Sequence, residues 1–448
     1  MTFKVFLSSI FSISVLLCTA QKVRIEGEAN QLIGFTVELA KQKAPFSSDW
    51  ITLDSDTIDE NGNFLLESRL DEITLVSIRV NRFKTPIYLE PGGNYTIAIP
   101  NNDEYNLIPF WRPGNLDYYF IDIDTNDVNR IIRDFDSEYL NLYLNNEGRN
   151  ILSIRHEVKK FEETYAPYSQ GFEGQYKRYS VALLKLTSGS SKLKLYEEYL
   201  KNDPIILDHP AYSDFFNNFY PNFFESKEFS EAAQDSLFKT GMSLAVLDSL
   251  MSRNEFFALE EIRQWVMVKS IREEALKNDK PSNLLNKILD ELELVAINQE
   301  IVNSVRGVQI DIEKRFTPLP VQKITDGNMN IEKGKPGILV VAFPRGNERT
   351  KEANTLENLL VKYGDYFQVI EYQMSSSLDN ANTWMRVQGN NRVLVEDLSI
   401  FRFPWYGWFD ENGMLVERDL FKPSDGLEER LYGIKAKADE QNRIKIGQ

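Results

Sequence analysis

Hydrophobic residues in the last quarter of the chain form two short runs that flank an amphipathic segment. The first run covers residues 338–343, six apolar residues in succession after a Gly-Lys-Pro break at Gly334. Such a run is typical of a strand buried on both faces. Apolar residues recur at helical spacing over 353–363, and a second β-like run covers 367–372. This order predicts a strand–helix–strand unit with parallel strands.

Near the N-terminus, apolar and polar positions alternate in short stretches. One stretch places Phe35, Val37 and Leu39 on the same side of a predicted strand. A turn around Gly62, which can take positive φ, leads into the next stretch. Seven such stretches at regular spacing predict a β-sandwich over residues 21–103.

The middle of the chain, residues 104–320, has mostly helical periodicity. Ser282 is placed to cap one of these helices, and Thr-Pro-Leu-Pro at 317–320 ends the region. One predicted helix carries an aromatic stripe, for which a place in the core is favoured over a ligand groove. The stripe consists of Phe215, Phe216, Phe219 and Tyr220.

Residues 1–20 have the pattern of a secretory signal peptide. Lys4 precedes an apolar stretch, and small residues precede a cleavage position after Ala20. The stretch is shorter than the about 20 residues that a membrane span needs, so we expect no transmembrane segment in the mature chain. A lipoprotein attached at Cys18 is the alternative, although Leu17 is larger than the residue that usually precedes a lipidated cysteine.

The charge of the chain excludes two classes of partner. The 448 residues include 51 basic and 67 acidic ones, a formal net charge of −16. Cleavage after Ala20 would remove Lys4 and no acidic residue, making the charge more negative. Nucleic acids and anionic membranes both require a basic surface, so we expect neither as a partner.

The segment after Gly334 resembles the thioredoxin-like fold of bacterial extracytoplasmic thiol–disulfide proteins, the TlpA/ResA-like group. That group has Gly-Lys-Pro, an apolar strand, and then Trp-Cys-x-x-Cys at the start of a helix. Counted without a gap, its two cysteine positions fall on Gly346 and Arg349, and its tryptophan position on Arg345. The resemblance implies a thioredoxin-like domain over 321–438, followed by a polar tail over 439–448.

Two further motifs extend the resemblance. The family's cis-proline motif corresponds to Pro404, Asp410 and Gly413. The N-terminal region is similar to a domain of unknown function that often precedes thioredoxin-like domains in Bacteroidota. Two motifs carry this similarity: Asp-Glu-Asn-Gly-Asn-Phe at 59–64 and Tyr-Leu-Glu-Pro-Gly at 88–92. The implied fold class is multidomain α+β: an N-terminal β-sandwich, a central all-helical domain and a C-terminal thioredoxin-like α/β domain.

The resemblance extends to the fold of the family but not to the cysteines that carry out its redox chemistry. Thiol–disulfide exchange needs a thiolate nucleophile and a second, resolving thiol. The chain has one cysteine, Cys18, inside the predicted signal peptide. We therefore expect a thioredoxin-like fold without thiol–disulfide oxidoreductase activity.

The candidate binding residues are those at the family's active-site positions. The loop before the predicted helix would offer free backbone N–H groups and a favourable dipole to an anion, although a degenerate, solvated loop is favoured. The strand edge at Pro404, which is flanked by aromatic residues, would bind a peptide. The competing interpretation is that these aromatic residues pack in the core. The candidates are Arg345, Gly346, Arg349, Pro404, Trp405 and Tyr406.

No catalytic residue, metal ligand or cofactor site is predicted. The only histidines, His156 and His209, lie in different predicted helices and outside any ligand motif, so each is expected to be structural. A pair of carboxylates for hydrolysis leaves no spacing signature, because acidic residues are abundant and their separation in space is not encoded locally.

The sequence thus predicts a secreted or periplasmic, non-catalytic binding or scaffold protein of the cell envelope. Its expected partner is an envelope protein or peptide, or a small anionic ligand. The alternative is a cell-envelope hydrolase that uses carboxylates of the helical domain.

Overall fold

The computed structural model describes residues 20–80, 83–102, 114–145, 151–165, 171–232, 242–277, 282–324, 331–341, 347–372, 385–387, 404–418, 420 and 422–446. In chain order they form a β-rich region, a helical region and a mixed α/β region.

The N-terminal region consists of two sheets that share one apolar core. Its strands are β1 Gln21–Glu28, β2 Thr36–Gln42, β3 Trp50–Thr57, β4 Asn63–Leu70, β5 Thr74–Val80, β6 Phe83–Leu89, β7 Asn94–Ala98, β8 Gly114–Asn115 and β9 Tyr119–Asp122. The strand orders are β4-β1-β7-β9 and β3-β2-β5-β6-β8. Pairs are antiparallel except β1 with β7 and β6 with β8. All seven predicted strands are therefore present.

Two details of this region differ from the sequence prediction. Val37 and Leu39 are buried as expected, but Phe35 is 44% exposed, because it belongs to the turn before β2 and precedes the strand's alternation. The sheets also continue beyond residue 103, through β8 and β9. Strands of two and four residues are too short to leave a readable period in the sequence.

The helical region contains ten α-helices in the described chain, eight of which contribute to one aromatic-rich core. The predicted stripe is part of this core, since Phe215, Phe216 and Phe219 are almost fully buried. The Ser282 hydroxyl caps its helix by accepting from the Leu285 N–H, as predicted. The helices are α1 Val128–Asn145, α2 Ile151–Tyr165, α3 Gly171–Thr187, α4 Lys192–Tyr199, α5 Pro210–Phe219, α6 Lys227–Ala232, α7 Leu244–Met251, α8 Glu260–Lys277, α9 Asn283–Val295 and α10 Gln299–Phe316.

The last region is a six-stranded mixed sheet with helices on both faces. Its elements are β10 Leu319–Pro320, α11 Val321–Ile324, β11 Gly337–Val341, α12 Asn347–Tyr363, β12 Gln368–Tyr372, β13 Met385–Val387, β14 Trp405–Phe409, β15 Met414–Glu417 and α13 Leu427–Ile446. The strand order is β10-β15-β14-β11-β12-β13, with β11 parallel to β12 and antiparallel to β14. The predicted parallel strand–helix–strand unit is thus present.

The end of the chain is more ordered than the sequence suggested. α13 continues to Ile446 and so runs through most of the segment 439–448 that was expected to be a polar tail. The Asp439 carboxylate accepts a hydrogen bond from the Tyr366 hydroxyl at 2.9 Å, which anchors this part of the helix. Across the described residues, no helix is both long and apolar enough to cross a membrane.

Candidate functional site

Of the C-terminal candidates, the structure places Pro404, Trp405 and Tyr406 at one end of the mixed sheet. Arg345 and Gly346 lie outside the described residues, and Arg349 belongs to the first turn of α12. Half-buried Pro404 directly precedes β14. Because Trp405 pairs with Val341, the last residue of β11, Pro404 lies at the carboxyl end of that strand.

Trp405 and Tyr406 are both buried, on opposite faces of the sheet. Trp405 packs with the α11 side of the core, whereas Tyr406 packs with α12 and α13. Trp408 shares the Tyr406 face, as the period of a strand requires, and the Arg430 guanidinium lies 4.2 Å from its ring centroid. In this structure the two candidate rings contribute to the core.

A cavity of about 220 Å³ lies between α2, α3 and α4. The Lys185 ammonium donates to Glu162 at 2.9 Å, to Glu198 at 3.1 Å and to the Tyr199 hydroxyl at 3.2 Å. An ammonium has three N–H donors, so this one is fully satisfied. Burial lowers the pKa of Lys185, but the hydrogen bonds to these partners outweigh burial and raise the pKa above its ordinary value.

His209 has the structural role predicted for it. It is the N-cap residue of α5, where Nδ1 accepts from the Tyr212 N–H at 3.5 Å and Nε2 donates to the Phe172 carbonyl at 3.1 Å. Burial lowers the pKa of His209, which matches a neutral ring with one donor and one acceptor nitrogen. Among the described residues, no group of three or more His, Cys, Asp or Glu is placed to hold a metal ion.

The loop between β2 and β3 docks the sandwich onto the helical region. The buried Asp311 carboxylate on α10 accepts from the Ser48 N–H at 2.8 Å and from the Ser48 hydroxyl at 2.5 Å. Phe46 takes the left-handed conformation, φ 60°, that side chains other than glycine rarely adopt, and its ring packs edge-on against Trp265. Strain of this kind persists where surrounding contacts fix it, often beside ligands.

A second cavity, of about 300 Å³, opens beside this loop. Lys269 is its most buried charged group, with 7% of the side chain exposed, and Nζ lies 2.8 Å from a carboxylate oxygen of Glu273. Arg272 on the same helix donates from Nε to Asp311 at 3.3 Å. The lining residues are Phe46, Asn217, Asn218, Lys269, Arg272 and Glu273. We call this space the junction cavity.

Sequence reasoning did not identify the junction cavity. The one local signal is Lys269 itself, a single charged residue inside the apolar stretch 265–271 of α8. The contacts around it join residues that are far apart in the chain, such as Ser48 and Asp311. Pairings of that kind have no local signature.

Comparisons with known proteins match this chain to a family model and to solved structures. A family model described as a domain of unknown function, DUF4369, matches residues 23–126, which include almost the whole sandwich. No curated protein matches the chain. A solved structure of a putative thiol-disulfide oxidoreductase from Bacteroides vulgatus is 16% identical and covers 23% of this chain and 79% of its own, with a TM-score of 0.21. A likeness this low carries no argument about fold or function.

Proposed function

We propose that this chain is a non-catalytic binding or scaffold protein of the cell envelope, with a C-terminal thioredoxin-like domain that lacks redox chemistry. The observation that carries the proposal is the absence of cysteine after Cys18 in a chain whose last region has a parallel β11–α12–β12 unit and an antiparallel β14–β15 hairpin. The strand order β12-β11-β14-β15 supports the thioredoxin-like assignment.

The proposed binding surface is the sheet end that holds Pro404 and the start of α12. The described helix starts at Asn347, between the two positions where the related family has its cysteines. The first N–H groups of a helix have no partner within it and favour anionic or carbonyl groups. In this proposal the surface beside Pro404 is formed by Arg345, Gly346 and Arg349. The buried rings of Trp405 and Tyr406 would support it from the core.

The proposed location is the periplasm or the extracellular space, after cleavage near Ala20. β1 begins at Gln21, directly after the expected cleavage position, which supports this boundary. Lipidation at Cys18 is the competing outcome. Mass spectrometry of the mature N-terminus distinguishes the two, because one gives Gln21 and the other a diacylglyceryl-modified Cys18.

The hydrolase alternative receives less support from the helical region. Glu162 and Glu198 are a carboxylate pair beside a cavity, but both are bonded to the Lys185 ammonium. Burial raises the pKa of Asp136, as a general acid requires, yet both of its oxygens accept from the Tyr176 hydroxyl. These contacts favour structural roles for the three carboxylates.

The proposal is tested by chemical cross-linking of the mature protein in envelope extract, followed by identification of the captured partner. We expect Pro404→Ala and Arg349→Ala to reduce capture, and Val361→Ala, which changes a 91% exposed residue of α12, to leave it unchanged. Equal capture by all variants would move the binding surface to the sandwich or the helical region.

A further inference from the structure

We infer that the junction cavity is a binding site for a small organic anion, one that carries a carboxylate or phosphate group. The inference is independent of the proposed partner surface on the C-terminal domain. It rests on the hydrogen-bonding capacity of the cavity, on its two cations, and on the loop that forms its apolar wall.

The lining has more donors than the protein satisfies. The Lys269 ammonium has three N–H donors, and its bond to Glu273 is the one contact that the described residues provide for it. The Arg272 guanidinium has five N–H donors, of which the described chain engages only Nε–H. A buried ammonium such as that of Lys269 is costly when its donors are unused. The oxygens of an anion would satisfy it together with the 29% exposed Arg272.

A neutral amide in the lining has an atom without a partner. The Nδ2 group of Asn217 contacts the Ser213 hydroxyl at 3.4 Å, and its buried Oδ1 has no partner among the described residues. A 180° rotation of the amide exchanges the two atoms. The rotated form keeps an acceptor next to Ser213 and places an NH₂ group at the buried position that has no partner.

The two cations of the cavity each have one carboxylate partner. Lys269 pairs with Glu273, and Arg272 pairs with the buried Asp311, so each cation keeps further N–H donors for an anion. The volume of about 300 Å³ is at the lower end for small-molecule sites. Phe46 provides an apolar wall, which fits an anion with a short hydrophobic part.

Isothermal titration calorimetry of the full protein with three probes tests this inference. We expect sodium benzoate and inorganic phosphate to bind and benzamide, the neutral analogue of benzoate, not to bind. Benzoate binding tighter than phosphate would identify the organic carboxylate as the preferred source of the anion, and the reverse order would identify phosphate. Loss of one charged hydrogen bond is worth about 1.5–3 kcal/mol, so Lys269→Met should weaken anion binding at least about tenfold.

Two further variants keep the test decisive. Lys269→Arg retains a cation and should retain most of the binding. Lys314→Met removes the 2.5 Å ion pair with Asp49 at the same junction but outside the cavity lining, and should bind like the wild type. Absence of anion binding in the wild type, unchanged affinity in a folded Lys269→Met variant, or equal binding of benzamide would each overturn the inference.

Discussion

Two lysines in the helical region are buried to similar degrees but differ in what surrounds them. Lys185, 16% exposed, donates all three of its N–H groups to Glu162, Glu198 and Tyr199. Lys269, 7% exposed, has Glu273 as its one contact within the described chain. A buried ammonium whose three N–H groups are all hydrogen-bonded within the protein has a structural role. One with unused N–H groups can donate them to a ligand.

The largest expected effect is at Lys185. Lys185→Met leaves two carboxylates and a hydroxyl without their shared donor, so we expect a loss of about 2–3 kcal/mol in the free energy of unfolding. Lys159→Met is the control, because Lys159 forms an exposed i,i+4 pair with Glu163 and should change stability by less than about 0.5 kcal/mol. Urea denaturation measures both. Equal losses would remove the distinction between the two kinds of lysine.

The next effect concerns the junction that holds the second lysine. A Cβ at Gly307 would lie 2.6 Å from the Ser47 Cβ, so Gly307→Ala should cost about 1–3 kcal/mol through overpacking. Gly433→Ala is the matched control, since its Cβ meets nothing within 4 Å and alanine should stabilise α13 by about 0.5–1 kcal/mol. Thermal unfolding distinguishes them. An unchanged melting temperature in Gly307→Ala would show that the β2–β3 loop is not firmly docked.

A smaller effect is expected at Lys269 itself. Lys269→Met has a similar shape and removes a costly buried charge, while Glu273, 34% exposed, can be solvated. We therefore expect the free energy of unfolding without ligand to change by less than about 1 kcal/mol in either direction. Urea denaturation under the conditions used for Lys185→Met provides the comparison. A loss as large as that of Lys185→Met would make Lys269 a structural residue.

The smallest effect is expected at His209, a buried base that is neutral, in contrast to the two buried, charged lysines. Burial lowers the pKa of His209 below its ordinary value of 6.5, so the unfolded chain takes up a proton more readily. The stability contributed by the neutral ring is complete above pH 6.5 and declines as the pH falls toward the lowered pKa. His209→Asn keeps an N-cap acceptor and should remove this decline. If the free energy of unfolding of the wild type and of His209→Asn had the same pH dependence, His209 would not be a buried, neutral residue.

Local periodicity accounts for the part of the fold that the sequence predicted. The alternation of Val37 with Leu39 placed these side chains on the correct face, because strand geometry fixes that period. The apolar run before Gly346 correctly indicated the central strand β11. Phe35 was misplaced because a turn, not a strand, determines its orientation.

The contacts around the candidate site were not predictable in the same way. The Asp311 carboxylate meets Ser48 across 263 positions of the chain, and neither residue belongs to a motif. For Trp405 and Tyr406, the family resemblance suggested a strand edge that binds a peptide. Both side chains are buried, so their role in the structure is packing. The resemblance named these residues, but solvent exposure depends on tertiary packing, which the motif does not encode.

The most direct test of the central claim is to supply the thiols that the C-terminal domain lacks. A wild-type protein produced from Gln21 onward has no cysteine and should show no insulin reduction above background. The double variant Gly346→Cys/Arg349→Cys should form an intramolecular disulfide, seen as the loss of two titratable thiols on oxidation, and should reduce insulin when dithiothreitol is supplied. Insulin reduction by the wild type, or two thiols in the variant that never pair, would contradict a thioredoxin-like scaffold without redox chemistry.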